Sequence, residues 1–157
     1  MPVCDSSSGS AACSSSLENR NDGSSGNKNS ETYRGTAAFS EPETQAVRDF
    51  VASLPKVGAF IDFHSYSQLI LWPWSYTTNA APDQSLFNTI GLEMESAMSA
   101  FGRHYDQGQC SWILYTASGV SNDFVYSQYG VPAFAIELRD TGQYGFELPE
   151  AQIQGTQ

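Results

Sequence analysis

Residues 133–139 of the chain read Ala-Phe-Ala-Ile-Glu-Leu-Arg, and this stretch decides the fold class. It predicts a short strand with Phe134, Ile136 and Leu138 on one face and Glu137 on the other. Apolar runs over residues 57–64 and 69–72 predict two more strands. Because helical periodicity alternates with these runs, the sequence predicts an α/β fold.

The first helix is predicted after Ser40-Glu-Pro-Glu43, which resembles a capping box with Ser40 at the cap and proline in the first turn. Apolar residues then follow at helical spacing, and Pro55 ends the helix. The apolar face consists of Val47, Phe50, Val51 and Leu54.

Three further elements are predicted from local patterns. A helix from Asp83 to Gly102 carries one apolar face, made of Leu86, Ile90, Met94, Ala97 and Phe101. Residues 112–115 are predicted as a strand. Residues 121–129 are predicted as a short helix that Ser121 caps and Gly130 closes.

Composition excludes several classes of function. Seven Lys and Arg residues against seventeen Asp and Glu residues give a formal net charge of −10, which disfavours nucleic acid or an anionic membrane surface as partner. No apolar run approaches the roughly 18 residues of a membrane-spanning helix.

Residues 1–30 are rich in Ser and Gly and are expected to be flexible, with the folded domain spanning residues 31–157.

The N-terminal residues and the cysteines add little to the assignment of fold and compartment. The first residues show neither the basic nor the apolar region of a secretory signal. The three cysteines, Cys4, Cys13 and Cys110, leave at least one unpaired within the chain and do not decide the redox compartment.

Two titratable residues are candidates for chemistry. His64 ends an apolar strand, where ligands of open α/β sheets are held, although a hydrogen-bonded structural histidine is the alternative. Glu137 is a single carboxylate in an apolar strand. It is either a general base whose pKa burial raises or the partner of a cation such as Arg139. His104 is expected to be a solvated charge partner near a helix end, and Asn122-Asp123 a helix cap.

Five blocks of sequence carry a family resemblance. They are Ser-Glu-Thr-Tyr-Arg-Gly at 30–35, Ala-Phe-Ile-Asp-Phe-His-Ser-Tyr-Ser-Gln at 59–68, Leu-Trp-Pro-Trp-Ser-Tyr-Thr-Thr at 71–78, Leu-Tyr-Thr-Ala-Ser-Gly at 114–119 and Phe-Ala-Ile-Glu-Leu-Arg-Asp-Thr-Gly-Gln-Tyr-Gly-Phe at 134–146. In this order they resemble the M14 zinc carboxypeptidases of the pancreatic carboxypeptidase A/B type. The resemblance implies a three-layer α/β/α fold around a mixed sheet, and removal of C-terminal residues from peptides or proteins.

The resemblance also implies roles for single residues. His64 becomes the third ligand of a catalytic zinc, and Glu137 the general base that acts on the zinc-bound water. On the substrate side it implies a mobile tyrosine, a subsite tyrosine, a residue at the base of the side-chain pocket and an Asn-Arg pair for the substrate carboxylate. These are Tyr115, Tyr66, Asn122 and Asn19-Arg20.

The sequence departs from the family pattern at three points. The His-x-x-Glu motif that supplies the first two zinc ligands is absent, since Ser67 and Gln107 stand three residues after the two histidines. Asn122 matches neither the apolar residue of the A-type pocket nor the Asp of the B-type pocket. No tryptophan follows Asn19-Arg20 as it does in the family.

These departures leave two functional hypotheses, beside the non-functional explanation that the sequence is a gene-model or transcript fragment. The chain is the C-terminal portion of an active catalytic domain, or it is an inactive, truncated paralogue that binds peptides. By resemblance the protein is expected to be a secreted monomer.

Overall fold

The computed structural model describes residues 23–156 of the chain. The helices are α1 (Pro42–Ser53), α2 (Gln84–Ser99), α3 (Cys110–Ile113) and α4 (Ser121–Tyr129). The strands are β1 (Phe60–Ser65), β2 (Leu69–Trp72), β3 (Asp106–Gln109) and β4 (Ala133–Leu138), and a short 3₁₀ helix covers Glu150–Gln152. Within these residues, no helix has the length and apolarity needed to cross a membrane.

The four strands form one mixed sheet in the order β1-β4-β2-β3. Strands β1 and β4 are parallel, β2 and β4 are antiparallel, and β2 and β3 are parallel. All four residues of β2 are buried because both faces of this strand are covered. Ile70 and Trp72 face the main core, whereas Leu69 and Leu71 pack with Cys110. The predicted α/β architecture with a mixed sheet is confirmed.

Aromatic side chains make up much of the core between the sheet and the helices. The ring of Phe87 on α2 stacks in parallel with Trp72 and lies edge-on to Tyr126 and Phe134. Edge-to-face contacts of this kind add roughly 0.5–1.5 kcal/mol per pair beyond the burial of area. This cluster fixes β2, α2, α4 and β4 relative to one another.

Helix α1 differs from its prediction at the start and on its apolar face. The N-cap is Glu41, and the Ser40 hydroxyl donates to the Glu41 carboxylate instead of capping the helix. Only Val51 of the predicted apolar face is buried. The other three residues of that face are exposed because no described residue covers them, and they line an apolar groove beside β1.

Helix α2 is present, and its predicted apolar face is right only in part: Ile90 and Met94 are partly buried and pack against the core, but the face is not centred on them. Phe87 and Gly91 are its buried residues, whereas Leu86 is exposed and Phe101, beyond the end of the helix, is 76% exposed. Apolar residues occur around much of this helix, so periodicity alone does not decide which of two faces is buried. Packing selects the face where Gly91 lets the helix approach Trp72, since a Cβ at Gly91 would lie 2.7 Å from the indole.

The strand predicted over residues 112–115 is also wrong. Helix α3 covers Cys110–Ile113, and the strand of this region is β3, which ends directly before α3, six residues earlier than predicted (112 − 106 = 6). Strand β3 reads Asp-Gln-Gly-Gln and has no apolar side chain, so its extended conformation comes from pairing with β2. Ile113 then packs against Gly108, where a Cβ would lie 2.9 Å from its side chain.

Candidate functional site

His64 and Glu137 are neighbours at the carboxyl ends of two parallel strands. The β1–β4 register pairs His64 with Glu137 directly, and Phe63 with Ile136 one position earlier. Paired residues of a parallel ladder point to the same face of the sheet. The structure therefore brings these two predicted site residues together although 73 positions separate them in the sequence (137 − 64 = 73).

The Glu137 carboxylate lies in a partly buried, charged environment. Burial is the largest influence and raises its pKa; the nearby His64 lowers the pKa, and the nearby Asp62 raises it. The net direction is upward, so Glu137 holds a proton more readily than an ordinary glutamate. The alternative pairing with Arg139 does not occur, because the Arg139 guanidinium donates to Gln152 and to the Gly155 carbonyl.

Asp62 is a site residue that the sequence analysis missed. Its Oδ2 lies 3.1 Å from His64 Nε2, and the hydroxyl of Ser121 donates to the same oxygen. Ser121 therefore contacts β1 and does not cap α4, whose N-cap is Val120. The available signal was an acidic residue two positions before a histidine on a strand, which places both side chains on one face.

Asn122 and Asp123 at the start of α4 are buried, so their interpretation as a simple cap is wrong. Asp123 accepts hydrogen bonds from the backbone N–H groups of Ser75, at 2.9 Å, and Tyr76, at 3.3 Å. Burial nevertheless raises its pKa to about 7. Asp123 thereby ties the loop after β2 to α4.

Asn122 is 1% exposed, and neither Oδ1 nor Nδ2 of its side chain has a hydrogen-bond partner among the described residues. Leaving a buried polar group unpaired costs roughly 1–3 kcal/mol. Such a side chain is a natural place for a polar ligand group to bind.

The two candidate tyrosines lie in different environments. Tyr66 follows β1, is partly buried and packs edge-on against Phe146 in the loop after β4. Asp140 holds that loop through the N–H groups of Gly142 and Tyr144. Tyr115 is exposed in the segment that follows α3. The candidates Asn19 and Arg20, together with Cys4 and Cys13, lie outside the described residues.

The remaining predicted groups are exposed or inert. His104 is exposed and contacts the carboxylates of Glu95 and Asp106, both at 3.1 Å, which agrees with a solvated charge partner. Cys110 is free and buried, and burial raises the pKa of its thiol. In the part of the chain that the structure describes, no three His, Cys, Asp or Glu side chains are grouped so that they could hold a metal ion.

Comparison with known proteins extends the resemblance to most of the chain. The family model described as zinc carboxypeptidase matches residues 15–157. Carboxypeptidase A1 of Bos taurus is 43% identical over 132 residues, which are 83% of this chain and 32% of that protein. Carboxypeptidase B of Bos taurus is 43% identical over 136 residues, which are 85% of this chain and 33% of that protein.

The fold agrees with solved structures. Bovine thrombin-activatable fibrinolysis inhibitor, solved in complex with tick carboxypeptidase inhibitor, superposes with a TM-score of 0.80 at 40% identity, over 85% of this chain and 46% of that one. The chain thus spans about a third of the length of the curated relatives that it matches. The match over residues 15–157 and these relatives show that the chain belongs to the zinc carboxypeptidase family.

Proposed function

We propose that this chain is the C-terminal portion of the catalytic domain of a zinc metallocarboxypeptidase, which hydrolyses the C-terminal peptide bond of peptides and proteins. The observation that carries the proposal is the pairing of His64 with Glu137 at the carboxyl ends of β1 and β4. A metal ligand and a proton acceptor for water must lie within a few ångströms of one reacting carbonyl.

His64 fits one position of a zinc site. Its side chain is 48% exposed, and its Nδ1 makes no hydrogen bond with residues 23–156. The described residues supply no complete ligand set, so His64 is assigned a single coordination position. The family's His-x-x-Glu pair is expected from a segment outside this chain. When bound, zinc polarises the scissile carbonyl and lowers the pKa of its water to about 7.

Glu137 is proposed as the general base of the reaction. Its carboxylate accepts a proton from the attacking water, and the upward shift of its pKa by burial makes it a better acceptor than an exposed glutamate. The protonated carboxyl then returns the proton to the leaving amine. Strand β4 holds this group rigidly, because Phe134 and Ile136 anchor the strand in the core.

Substrate recognition is assigned to residues around this pair. Asn122 forms the base of the side-chain pocket, where its unpaired amide favours a C-terminal residue with a polar, uncharged side chain. Tyr115 closes over the substrate carboxylate, Asn19 and Arg20 bind that carboxylate, and Tyr66 lines a neighbouring subsite. By its resemblance to the family, the protein is proposed to be a secreted monomer.

A second candidate function is a catalytically inactive, peptide-binding paralogue. The observation that favours it is the absence of His-x-x-Glu from the 157 residues. Extending the coding sequence upstream separates the two hypotheses, since an in-frame His-x-x-Glu supports the enzyme and a longer coding sequence without it supports the paralogue.

The experiment compares this chain with the extended protein by calorimetry with zinc and by release of C-terminal residues from hippuryl substrates. The chain alone is expected to bind zinc weakly and to release nothing, because one imidazole lacks the chelation of a complete site. The extended protein is expected to bind zinc tightly and to release C-terminal residues. Glu137→Gln in that protein should abolish release while zinc stays bound. Zinc-dependent release by the chain alone, lost on His64→Ala, would contradict the assignment of a single zinc ligand.

A further inference from the structure

The apolar face of the sheet that packs in the core extends onto β1, but it is uncovered there. Ile61 lies opposite Phe134 in the β1–β4 ladder, so both side chains point to the same face of the sheet. Phe63 lies opposite Ile136 in the same way. The two side chains of β4 are each 2% exposed, whereas Ile61 is 45% and Phe63 is 62% exposed. One apolar layer is therefore buried on β4 and open to solvent on β1.

The groove between α1 and the start of β1 adds to this open area. All of its lining residues are apolar, and three of them, Val47, Phe50 and Leu54, are exposed on α1. We refer to these three residues together with Ile61 and Phe63 as the β1 surface. Exposed apolar side chains that gather beside one strand mark an interaction surface.

Strand β1 is also an edge of the sheet. It stands first in the order β1-β4-β2-β3, so no strand among the described residues lies on its outer side. The N–H of Phe60 donates to the carbonyl of Pro132, towards β4. Because N–H groups alternate in direction along a strand, those of Ile61 and Phe63 point outwards. No proline interrupts β1 and its register with β4 is continuous, so the edge can accept a further strand.

We propose that the β1 surface is where the segment that precedes this chain in the extended protein docks, adding a strand to β1 and covering Ile61 and Phe63. Only the identity of that segment rests on the proposed function, in which it carries the remaining zinc ligands. His64 lies at the carboxyl end of β1, and the ligands of one zinc ion all lie about 2 Å from it. The segment must therefore pass beside β1.

Length and charge favour this occupant over a second copy of the chain. The curated relatives are about three times as long as the part that matches this chain, which leaves ample length for a strand and a covering helix. A covalently attached segment is also present at a high effective concentration. Two copies, by contrast, would each bring a net charge of −10 to the contact and repel each other.

The test is backbone hydrogen exchange, followed by NMR in this chain and in the extended protein. In this chain the outward N–H groups of Ile61 and Phe63 are expected to exchange at least about tenfold faster than that of Asp62, which points to β4. In the extended protein their exchange should slow by about tenfold or more. The N–H of Gln107 is the matched control. Asp106 donates towards β2, so Gln107 points outwards from β3 at the opposite edge, and it should exchange equally in both proteins.

Phe63→Lys gives a second readout, urea unfolding. Because Phe63 is exposed in this chain, the variant should leave the urea midpoint of this chain almost unchanged. It should lower the midpoint of the extended protein, where the docked segment would bury the charge. Phe101→Lys, at a second exposed aromatic residue beyond the end of α2, should shift the two midpoints alike.

Fast exchange of the Ile61 and Phe63 amides in the extended protein would overturn the inference, as would a coding sequence that adds nothing upstream. Protection in this chain alone that grows with protein concentration would identify a second copy as the occupant and would overturn it too. Zinc binding is measured by calorimetry on the same samples. Protected amides without bound zinc leave the docking intact and refute the proposed function, whereas bound zinc with unprotected amides does the reverse.

Discussion

The stability of the folded chain is expected to fall as the pH rises from about 4 to about 7, because Asp123 holds its proton more tightly in the folded chain. Burial raises the pKa of Asp123 from 3.8 to about 7, against the opposing effect of its hydrogen bonds from Ser75 and Tyr76. An acid whose pKa is higher in the folded chain binds its proton more tightly there than in the unfolded chain. The resulting stabilisation is complete below about pH 4 and is lost as the pH rises through about 7.

The size of the effect follows from the two pKa values. One unit of pKa corresponds to about 1.4 kcal/mol. Between about pH 5 and about pH 8 the carboxyl of the unfolded chain is ionised throughout. The carboxyl of the folded chain stays protonated up to about pH 7, which is about two of the three pH units in this interval. Asp123 alone therefore lowers the free energy of unfolding by about 2.5 kcal/mol over this interval. Solvent screens this group little, because Asp123 is 8% exposed.

Urea unfolding at the two pH values measures this loss in the wild-type chain and in Asp123→Asn, which cannot ionise. The loss should be about 2.5 kcal/mol smaller in the variant, with an unchanged dependence on urea. Asp49→Asn is the matched control: the hydrogen bond from Arg48 lowers the pKa of this exposed residue, so it is ionised throughout the interval. A loss in Asp123→Asn as large as that of the wild type would refute the reasoning.

Two further substitutions test packing and specificity. Gly91→Ala should lower the free energy of unfolding by about 1 kcal/mol, because overpacking against Trp72 costs roughly 1–3 kcal/mol and exceeds a gain in helix propensity of about 1 kcal/mol. Gly58→Ala, whose Cβ would meet nothing within 4 Å, should stay within about 0.5 kcal/mol of wild type in the same urea experiment. In the extended protein, Asn122→Ile should shift kcat/KM towards apolar C-terminal residues and Asn122→Asp towards Lys and Arg, and an unchanged ratio would exclude Asn122 from the pocket.

The elements that the sequence predicts well are those whose signals are local. Strand β2 has the predicted bounds, helix α4 begins and ends where predicted, and β4 differs from its prediction by one residue. Gly130 closes α4 in the left-handed conformation, with φ 65°. A buried apolar run and a glycine C-cap depend little on the rest of the fold, which is why periodicity and turn chemistry suffice for them.

The features that the sequence analysis missed are those that tertiary contacts create. Strand β3 has no strand pattern and becomes extended only by pairing with β2. The buried face of α2 is selected by the close approach at Gly91. Asp123 and Asp62 occupy positions where an acidic residue is ordinarily a cap or a solvated group, and only the fold brings Ser75 and His64 to them. Single-sequence patterns carry no information about such contacts.

The geometry of the candidate site and its chemical activity depend on different parts of the molecule. His64 and Glu137 are held side by side by the β1–β4 ladder, and the buried side chains of β4 pack this ladder onto the core within the chain itself. Metal affinity requires further ligands, which the described residues do not provide. A change at either residue should therefore alter chemistry in the extended protein while it leaves the unfolding of this chain almost unchanged, because both side chains are partly exposed at the strand ends.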